Sequence, residues 1–145
     1  MSDAPCLFDQ SLLRMRWRRA LKQGAADFLL ARVADDLEIR VEALARSFET
    51  CADMGTPGPH AAQKLLASNR FNHIIRQVPL AEMIGIGSWQ SVVGDTALVP
   101  FASQSLDAVI SLLAFQWVDD LPGLFIQIKR RSEEHTSELQ SRVDI

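Results

Sequence analysis

From residue 48 onward, short apolar runs alternate with segments of helical character, and turn residues separate them. The strand candidates, in chain order, are FETCADMG, NHIIRQVPL, WQSVVGD and LDAVISLLAF. The helix candidates are PHAAQKLLAS, which has a proline near its first turn, and DDLPGLFIQIKR. Strands that alternate with helices favour βαβ units and a parallel sheet with right-handed crossovers. We therefore expect an α/β fold with about four parallel strands.

The first 47 residues have a different pattern, in which apolar residues recur at helical spacing and Gly24 offers a break. The stripe consists of Leu12, Leu13, Trp17, Leu21, Phe28, Leu29, Val33, Leu37, Val41 and Leu44. It predicts two amphipathic helices, which we interpret as a helical lid over residues 1–47 that precedes a partial sheet domain over 48–130. In the RMRWRR segment we expect Trp17 to pack inward, while the arginines face solvent or pair with acids of the next helix.

Residues 131–145 read RSEEHTSELQSRVDI and offer almost no apolar face to a helix or strand. A solvated C-terminal tail is the plain interpretation of such a composition. The stretch 131–141 also equals an in-frame translation of a widely used sequencing adapter. We therefore expect a non-native tail here, and a natural sequence whose second half of the sheet is missing after Arg130.

Composition favours a single globular domain, since 48% of the 145 residues are apolar. No window approaches the roughly 18 consecutive apolar residues of a membrane span, and residues 1–10 lack the pattern of a secretion signal. Cys6 and Cys51 are expected to be free thiols in a reducing compartment. Outside the predicted tail, 13 basic and 14 acidic residues nearly balance, which gives no general attraction to nucleic acid. His60 and His73 lack companion carboxylates at ligand spacing, so we expect no metal site.

The stretch CADMGTPGP, residues 51–59, places Asp53 at the end of the first predicted strand and Gly55 and Gly58 in the turn that follows. Glycine lets the backbone pass close to a bound cofactor because no Cβ is in the way. By itself the turn is weak evidence for cofactor binding, since most glycine and proline turns only connect a strand to the next element.

Polar residues also mark the ends of the other predicted strands, where Gln77, Asp95 and Ser111 lie. In an open α/β sheet, ligands bind beyond the carboxyl ends of the strands, near the switch point of the strand order. Four strand ends that converge on one crevice therefore predict a binding site.

Four segments, FDQSLLRMRWRRA, ADMGTPG, VVGDTALVPF and SLDAVISLLAFQWVDDLPGLFIQIKR, resemble the class I S-adenosylmethionine-dependent methyltransferases of the type 11 group. The resemblance spans residues 8–130. Within the group it favours the branch that includes the malonyl-carrier-protein methyltransferase of biotin synthesis and the methyltransferase-like assembly factor of respiratory complex I. It implies a Rossmann-like sheet and S-adenosylmethionine as cofactor.

The resemblance also assigns roles to individual positions. The glycine turn holds the methionine moiety and Asp53 orders it, the second strand ends at a ribose-binding position occupied by Gln77, and Asp95 approaches the adenine amino group. Cofactor-binding residues implied in this way are Asp53, Gly55, Gly58, Gln77, Asp95, Thr96, Ala97, Ser111 and Leu112.

Three positions depart from the family pattern: Pro57 in the turn, Gln77 in place of a carboxylate, and Gln116 in place of a histidine. The main hypothesis is an S-adenosylmethionine-dependent methyltransferase, inactive in its truncated form. The alternative is a non-methylating assembly factor for complex I, in one form a protein side-chain hydroxylase. A nicotinamide-binding fold is a weaker third hypothesis, because the GxGxxG spacing is absent. We expect a bacterial cytoplasmic protein, or one of the mitochondrial matrix side if the source is eukaryotic, with a small-molecule or protein acceptor that the sequence does not identify.

Resequencing the source locus across codon 130 tests the tail hypothesis. We expect the reading frame to continue past Arg130 into a further strand and helix pattern. A genome that encodes RSEEHTSELQSRVDI followed by a stop codon would contradict it.

Overall fold

The computed structural model describes residues 6–24 and 27–132. Its helices and strands are α1 (Gln10–Gln23), α2 (Phe28–Glu42), β1 (Phe48–Met54), α3 (His60–Ala67), β2 (Phe71–Val78), β3 (Gln90–Val93), β4 (Ala108–Ile110) and α4 (Leu121–Arg131). Two short 3-10 helices, Ala81–Met83 and Phe115–Trp117, lie in the loops after β2 and β4.

The four strands form one parallel sheet in the order β3-β2-β1-β4. Asp53 of β1 lies opposite Arg76 of β2, and Ala52 lies opposite Val109 of β4. The predicted α/β fold with four parallel strands is therefore confirmed. Because β1 has β2 on one side and β4 on the other, the strand order reverses at β1, and its carboxyl end opens onto a crevice.

Two helices precede the sheet, with the break at Gly24 as predicted. The Asp9 carboxylate caps α1 by accepting a hydrogen bond from the Leu12 backbone N–H at 3.1 Å. Gly24 ends α1 with φ +76°, a backbone conformation that glycine adopts at little cost.

The central strand β1 is covered on both faces, which is usual for parallel strands, whereas the edge strand β3 is mostly exposed. On one face, Cys51 packs with α2 and α3 in a cluster that includes Leu37 and Leu65. On the other face, Ala52 packs with α4 in a second cluster. Buried residues of α2 recur at helical spacing and are Leu30, Ala34, Leu37 and Val41.

The fourth strand is much shorter than the predicted LDAVISLLAF run, because β4 ends at Ile110. Beyond it, the Ser111 hydroxyl donates to the Met54 carbonyl at 2.7 Å, and the Leu112 N–H donates to the Thr56 hydroxyl at 3.1 Å. Leu113 then adopts φ +56° and turns the chain away from the sheet. Hydrogen bonds that involve the side chains of Ser111 and Thr56 thus replace the strand ladder.

At the C-terminal end, α4 runs one residue past the predicted boundary, and Ser132 forms an isolated parallel bridge with Leu106. The rest of the predicted tail, 133–145, lies outside the described residues. Both cysteines are free, with Cys6 exposed and Cys51 buried. Within 6–24 and 27–132, no helix has the length and apolarity needed to cross a membrane.

Candidate functional site

A cleft opens at the carboxyl ends of the strands, with α1 as its roof. It measures about 580 Å³, open solvent included. Its lining residues come from α1 and from the loops after all four strands, and they are Gln10, Arg14, Trp17, Gly55, Pro57, Pro79, Met83, Asp95, Thr96, Ala97, Leu113, Ala114, Trp117 and Val118. The predicted convergence of four strand ends on one crevice is what the structure shows.

Gly55 forms the tight turn after β1 in the middle of the cleft floor. Its φ is +73°, and its N–H donates to the Gln77 carbonyl at 2.7 Å. A Cβ at this position would lie 2.8 Å from Thr96 Cγ2 and 3.0 Å from the Ala114 Cβ. Glycine is required here because the turn packs directly against the loops after β3 and β4.

Beneath this turn, Asp53 and Arg76 form an ion pair in which both side chains are 0% exposed. Arg76 Nε lies 3.3 Å from Asp53 Oδ2, and the Thr56 hydroxyl donates to the other carboxylate oxygen. The Arg76 guanidinium also donates to the carbonyls of Thr56 and Gly58 at 2.8 and 2.9 Å, and to that of Met83 at 2.8 Å. One buried side chain therefore ties the glycine turn to the loop after β2.

Burial raises the pKa of Asp53 to about 6, and the hydrogen bond from Thr56 and the charge of Arg76 oppose that rise. Sequence reasoning did not identify Arg76 or Thr56. A signal was present, because an arginine inside the apolar IIRQV run needs a buried carboxylate on a neighbouring strand. Choosing Asp53 as that partner requires the register of β1 against β2.

The end of β3 supplies the main polar wall of the cleft, through Asp95, Thr96 and Ala97. Asp95 Oδ1 accepts a hydrogen bond from the Ala97 N–H at 2.9 Å, which fixes the orientation of the carboxylate. Gln127 of α4 braces the same loop, since its amide donates to the Ala97 carbonyl at 3.2 Å. All three residues that the sequence assigned to the end of the third strand therefore line the cleft.

The other predicted site residues are placed differently. Asp53 lies under the floor, and Gly58 packs against α2 and α3, where a Cβ would lie 3.0 Å from Leu30 Cδ2. Ser111 is hydrogen-bonded to the end of β1, and Leu112 is hydrogen-bonded to Thr56 of the glycine turn. Pro57, Leu113 and Ala114 line the cleft at the corresponding strand ends.

Gln77 also differs from its predicted role at the end of β2. Its side chain is fully buried and donates to the Gly94 carbonyl, and its amide oxygen has no hydrogen-bond partner in the described part of the chain. Pro79, two residues further on, faces the cleft instead. A proline side chain offers no hydrogen-bonding group there.

The roof is fastened at its N-terminal end to the loop after β4. Asp119 Oδ1 accepts hydrogen bonds from the N–H groups of Leu7 and Phe8 at 2.9 and 3.1 Å. The Phe8 ring meets the Trp117 ring edge-on at 5.6 Å, a favourable aromatic geometry. The neighbouring Asp120 caps α4 by accepting a hydrogen bond from the Gly123 N–H at 3.0 Å.

At its other end, α1 rests on the segment after β2. Trp17 and Leu21 pack against a buried cluster of Val78, Leu80 and Met83. Arg18 pairs with Glu82 at 3.5 Å. Its partner therefore lies in the segment after β2, whereas the expected partners were acids of the next helix. Leu12, which was expected to pack down, is 37% exposed.

The two histidines for which no metal was expected, His60 and His73, each have one carboxylate neighbour that the sequence spacing did not indicate. His60 Nε2 lies 3.0 Å from Asp27 Oδ2, and His73 Nε2 lies 3.4 Å from Glu49 Oε1. Among the residues that the structure describes, no group of three or more histidine, cysteine or acidic side chains could hold a metal ion.

Comparison with known families identifies a methyltransferase domain over residues 63–134. Curated relatives include the mitochondrial arginine-hydroxylase NDUFAF5 of Danio rerio, 27% identical over 133 residues, with 84% of this chain and 40% of that protein covered. The Mus musculus protein of the same name is 29% identical over 131 residues, with 84% and 38% covered. The chain thus spans about two fifths of the length of the curated relatives that it matches.

Solved structures share the fold. A candidate S-adenosyl-L-methionine-dependent methyltransferase of Methanococcus maripaludis superposes with a TM-score of 0.60 at 19% identity, covering 94% of this chain and 64% of that one. The YcgJ protein of Bacillus subtilis gives a TM-score of 0.57 at 15% identity, covering 70% and 47%. These similarities establish the Rossmann-like architecture of the methyltransferases for this chain.

Replacing Arg76 with methionine tests the buried pair. We expect a loss of about 3–5 kcal/mol in the free energy of unfolding at pH 8, because Asp53 is left buried without a cation. The loss should be smaller at pH 5. Without Arg76 the pKa of Asp53 rises further above 6. The folded carboxyl then keeps a proton that the unfolded carboxyl releases near pH 4. The free energy of unfolding therefore falls with rising pH over a wider range than in the parent chain.

Urea denaturation at the two pH values measures this difference. Arg40→Met is the matched control, because Arg40 pairs with Asp36 on the exposed surface of α2 and such pairs contribute about 0–1 kcal/mol. Equal, pH-independent losses for the two variants would contradict the assignment.

Proposed function

Because the chain belongs to the methyltransferase domain family and is related to the branch of the complex I assembly factor, we propose that its cleft binds S-adenosylmethionine and that the chain supplies the cofactor-binding part of a methyltransferase. The observation that carries the proposal is the position of the cleft. It lies at the carboxyl end of β1, where the strand order reverses, with Gly55 on its floor and Asp95 on its wall.

The residues present fit the cofactor at two places. Gly55 leaves the floor of the cleft free of a side chain, which suits the methionine end of the molecule. Asp95 keeps one carboxylate oxygen free of the bond to Ala97, so this oxygen is available to the adenine amino group, with Thr96 beside it. The fit is poorer at the end of β2, where Pro79 offers no group to the ribose hydroxyls.

When bound, S-adenosylmethionine supplies a methyl group on a positively charged sulfur. A nucleophile attacks the methyl carbon directly, and the sulfur leaves as a neutral thioether. The protein mainly has to align the two partners and keep water away. In this chain α1 covers the cleft, and Trp17 and Trp117 close it with large apolar surfaces at its two ends. Displacement at a sulfonium does not require a catalytic acid–base pair, and the sequence predicts none.

The second candidate is a non-methylating assembly factor of respiratory complex I that keeps the cofactor fold, in one form a protein side-chain hydroxylase. Two observations favour it: the relatives are named arginine-hydroxylases, and Pro79, which lines the cleft after β2, offers no polar side chain to a ribose. Under this proposal the acceptor is a subunit of the complex, and the protein acts in a bacterial cytoplasm or on the matrix side of a mitochondrion.

Asp95→Ala tests the cofactor proposal. We expect a roughly tenfold or greater loss of affinity for S-adenosylmethionine in equilibrium dialysis, because a hydrogen bond to a charged group contributes about 1.5–3 kcal/mol. Asp36→Ala is the control, since this carboxylate lies on the exposed side of α2, away from the cleft. Unchanged binding in the Asp95 variant, or no binding by the parent chain, would refute the proposal.

Deleting the gene separates the two candidate functions. A methyltransferase should leave one methylated product missing from the proteome or metabolite pool, as measured by mass spectrometry. Loss of complex I assembly with every methylated product retained, and with a hydroxylated arginine missing from a subunit, would select the assembly factor.

A further inference from the structure

One face of α1 is turned into the cleft. Gln10, Arg14 and Trp17 follow one another at the i, i+4 and i+7 spacing that places side chains on a single helix face. Leu13 is the buried residue of the helix, and it anchors the neighbouring face. Arg14 and Arg16 are both exposed, and Arg14 is the basic residue of α1 that lines the cleft.

The contacts at the two ends of this face fix the position of Arg14 along the cleft. Gln10 Nε2 donates to the Trp117 carbonyl at 3.4 Å, in the loop after β4. Trp17 packs on the cluster after β2 that includes Met83. In the sheet β1 lies between β2 and β4, so Arg14 lies above the end of β1 and its glycine turn.

Arg14 carries a positive charge that nothing in 6–24 or 27–132 pairs. On the same helix, Arg18 pairs with Glu82. The α1 arginines that have no ion pair among the described residues are Arg14, Arg16 and Arg19, and of these Arg14 is the one that lines the cleft. Asp95, which also lines the cleft, is not in ion-pair contact with Arg14. An unpaired guanidinium that faces a cleft is suited to a carboxylate, because its planar donors match the two oxygens.

The opposite wall cannot provide a charged anchor. The residues that face the cleft after β1 and β2 include Pro57 and Pro79, which have neither a polar side chain nor a backbone N–H to donate. The residues that line the cleft on the β1 and β2 side, Gly55, Pro57, Pro79 and Met83, therefore offer no charged side chain.

We propose that Arg14 binds the carboxylate at the amino-acid end of the ligand, so that the roof helix, and not the strand ends, provides its charged anchor. The proposal rests on the proposed function and names the subsite that holds the methionine end. It makes α1 part of the binding site, since affinity then depends on the helix being in place.

Isothermal titration calorimetry with two ligands tests this subsite. S-adenosylmethionine carries the carboxylate, and decarboxylated S-adenosylmethionine is otherwise the same molecule. For Arg14→Gln we expect a roughly tenfold loss of affinity for the first ligand and no change for the second, because only the first offers the charged bond. Arg16→Gln, on the same helix but outside the cleft, should change neither affinity.

Three results would overturn the proposal. If Arg14→Gln lowers the affinity for both ligands equally, the residue supports the roof and does not bind a carboxylate. If it weakens neither, the charge has no role in binding, although the cofactor proposal stands. If the parent chain binds neither ligand, the proposed function fails, and the subsite fails with it.

Discussion

The buried ion pair between Asp53 and Arg76 is the interaction on which the rest of the site depends. Moving two charges out of water costs several kcal/mol for each ion, and the cost is offset only when hydrogen bonds satisfy the remaining donors and acceptors. Here the Thr56 hydroxyl completes the carboxylate, and carbonyls of the glycine turn and of the loop after β2 complete the guanidinium. Since these carbonyls belong to two separate loops, the pair fixes the floor of the cleft as one rigid unit.

The roof is held in a different way. The ion pair between Arg18 and Glu82 has side chains that are 55% exposed, and exposed pairs contribute little. Aromatic packing of Phe8 on Trp117 and burial of Trp17 provide the larger part of the contact. A rigid floor beneath a roof that is held by fewer buried contacts is the arrangement expected where a ligand has to enter before water is excluded.

The two candidate functions use the same wall of the cleft at the end of β3 and differ at the end of β2. Asp95, Thr96 and Ala97 at the end of β3 line the cleft, and the Ala97 N–H orients the Asp95 carboxylate. At the end of β2, Pro79 offers no polar side chain to the cleft. The two candidate functions share the Gly55 turn and the Asp95 wall, and differ in whether a cofactor held without a strand-end ribose contact still transfers a methyl group.

By itself the sequence determined the order of helices and strands, the break at Gly24, the glycine turn and the convergence of the strand ends, because these depend on local periodicity and turn chemistry. Tertiary structure decided which residue at each strand end faces the cleft. Gln77 lies within β2 and is buried under the cleft, while Pro79 lies past the end of the strand and lines the cleft. It also decided the pairing of Asp53 with Arg76, which are 23 residues apart. No local pattern encodes such a contact, since it forms only when β1 and β2 align in register.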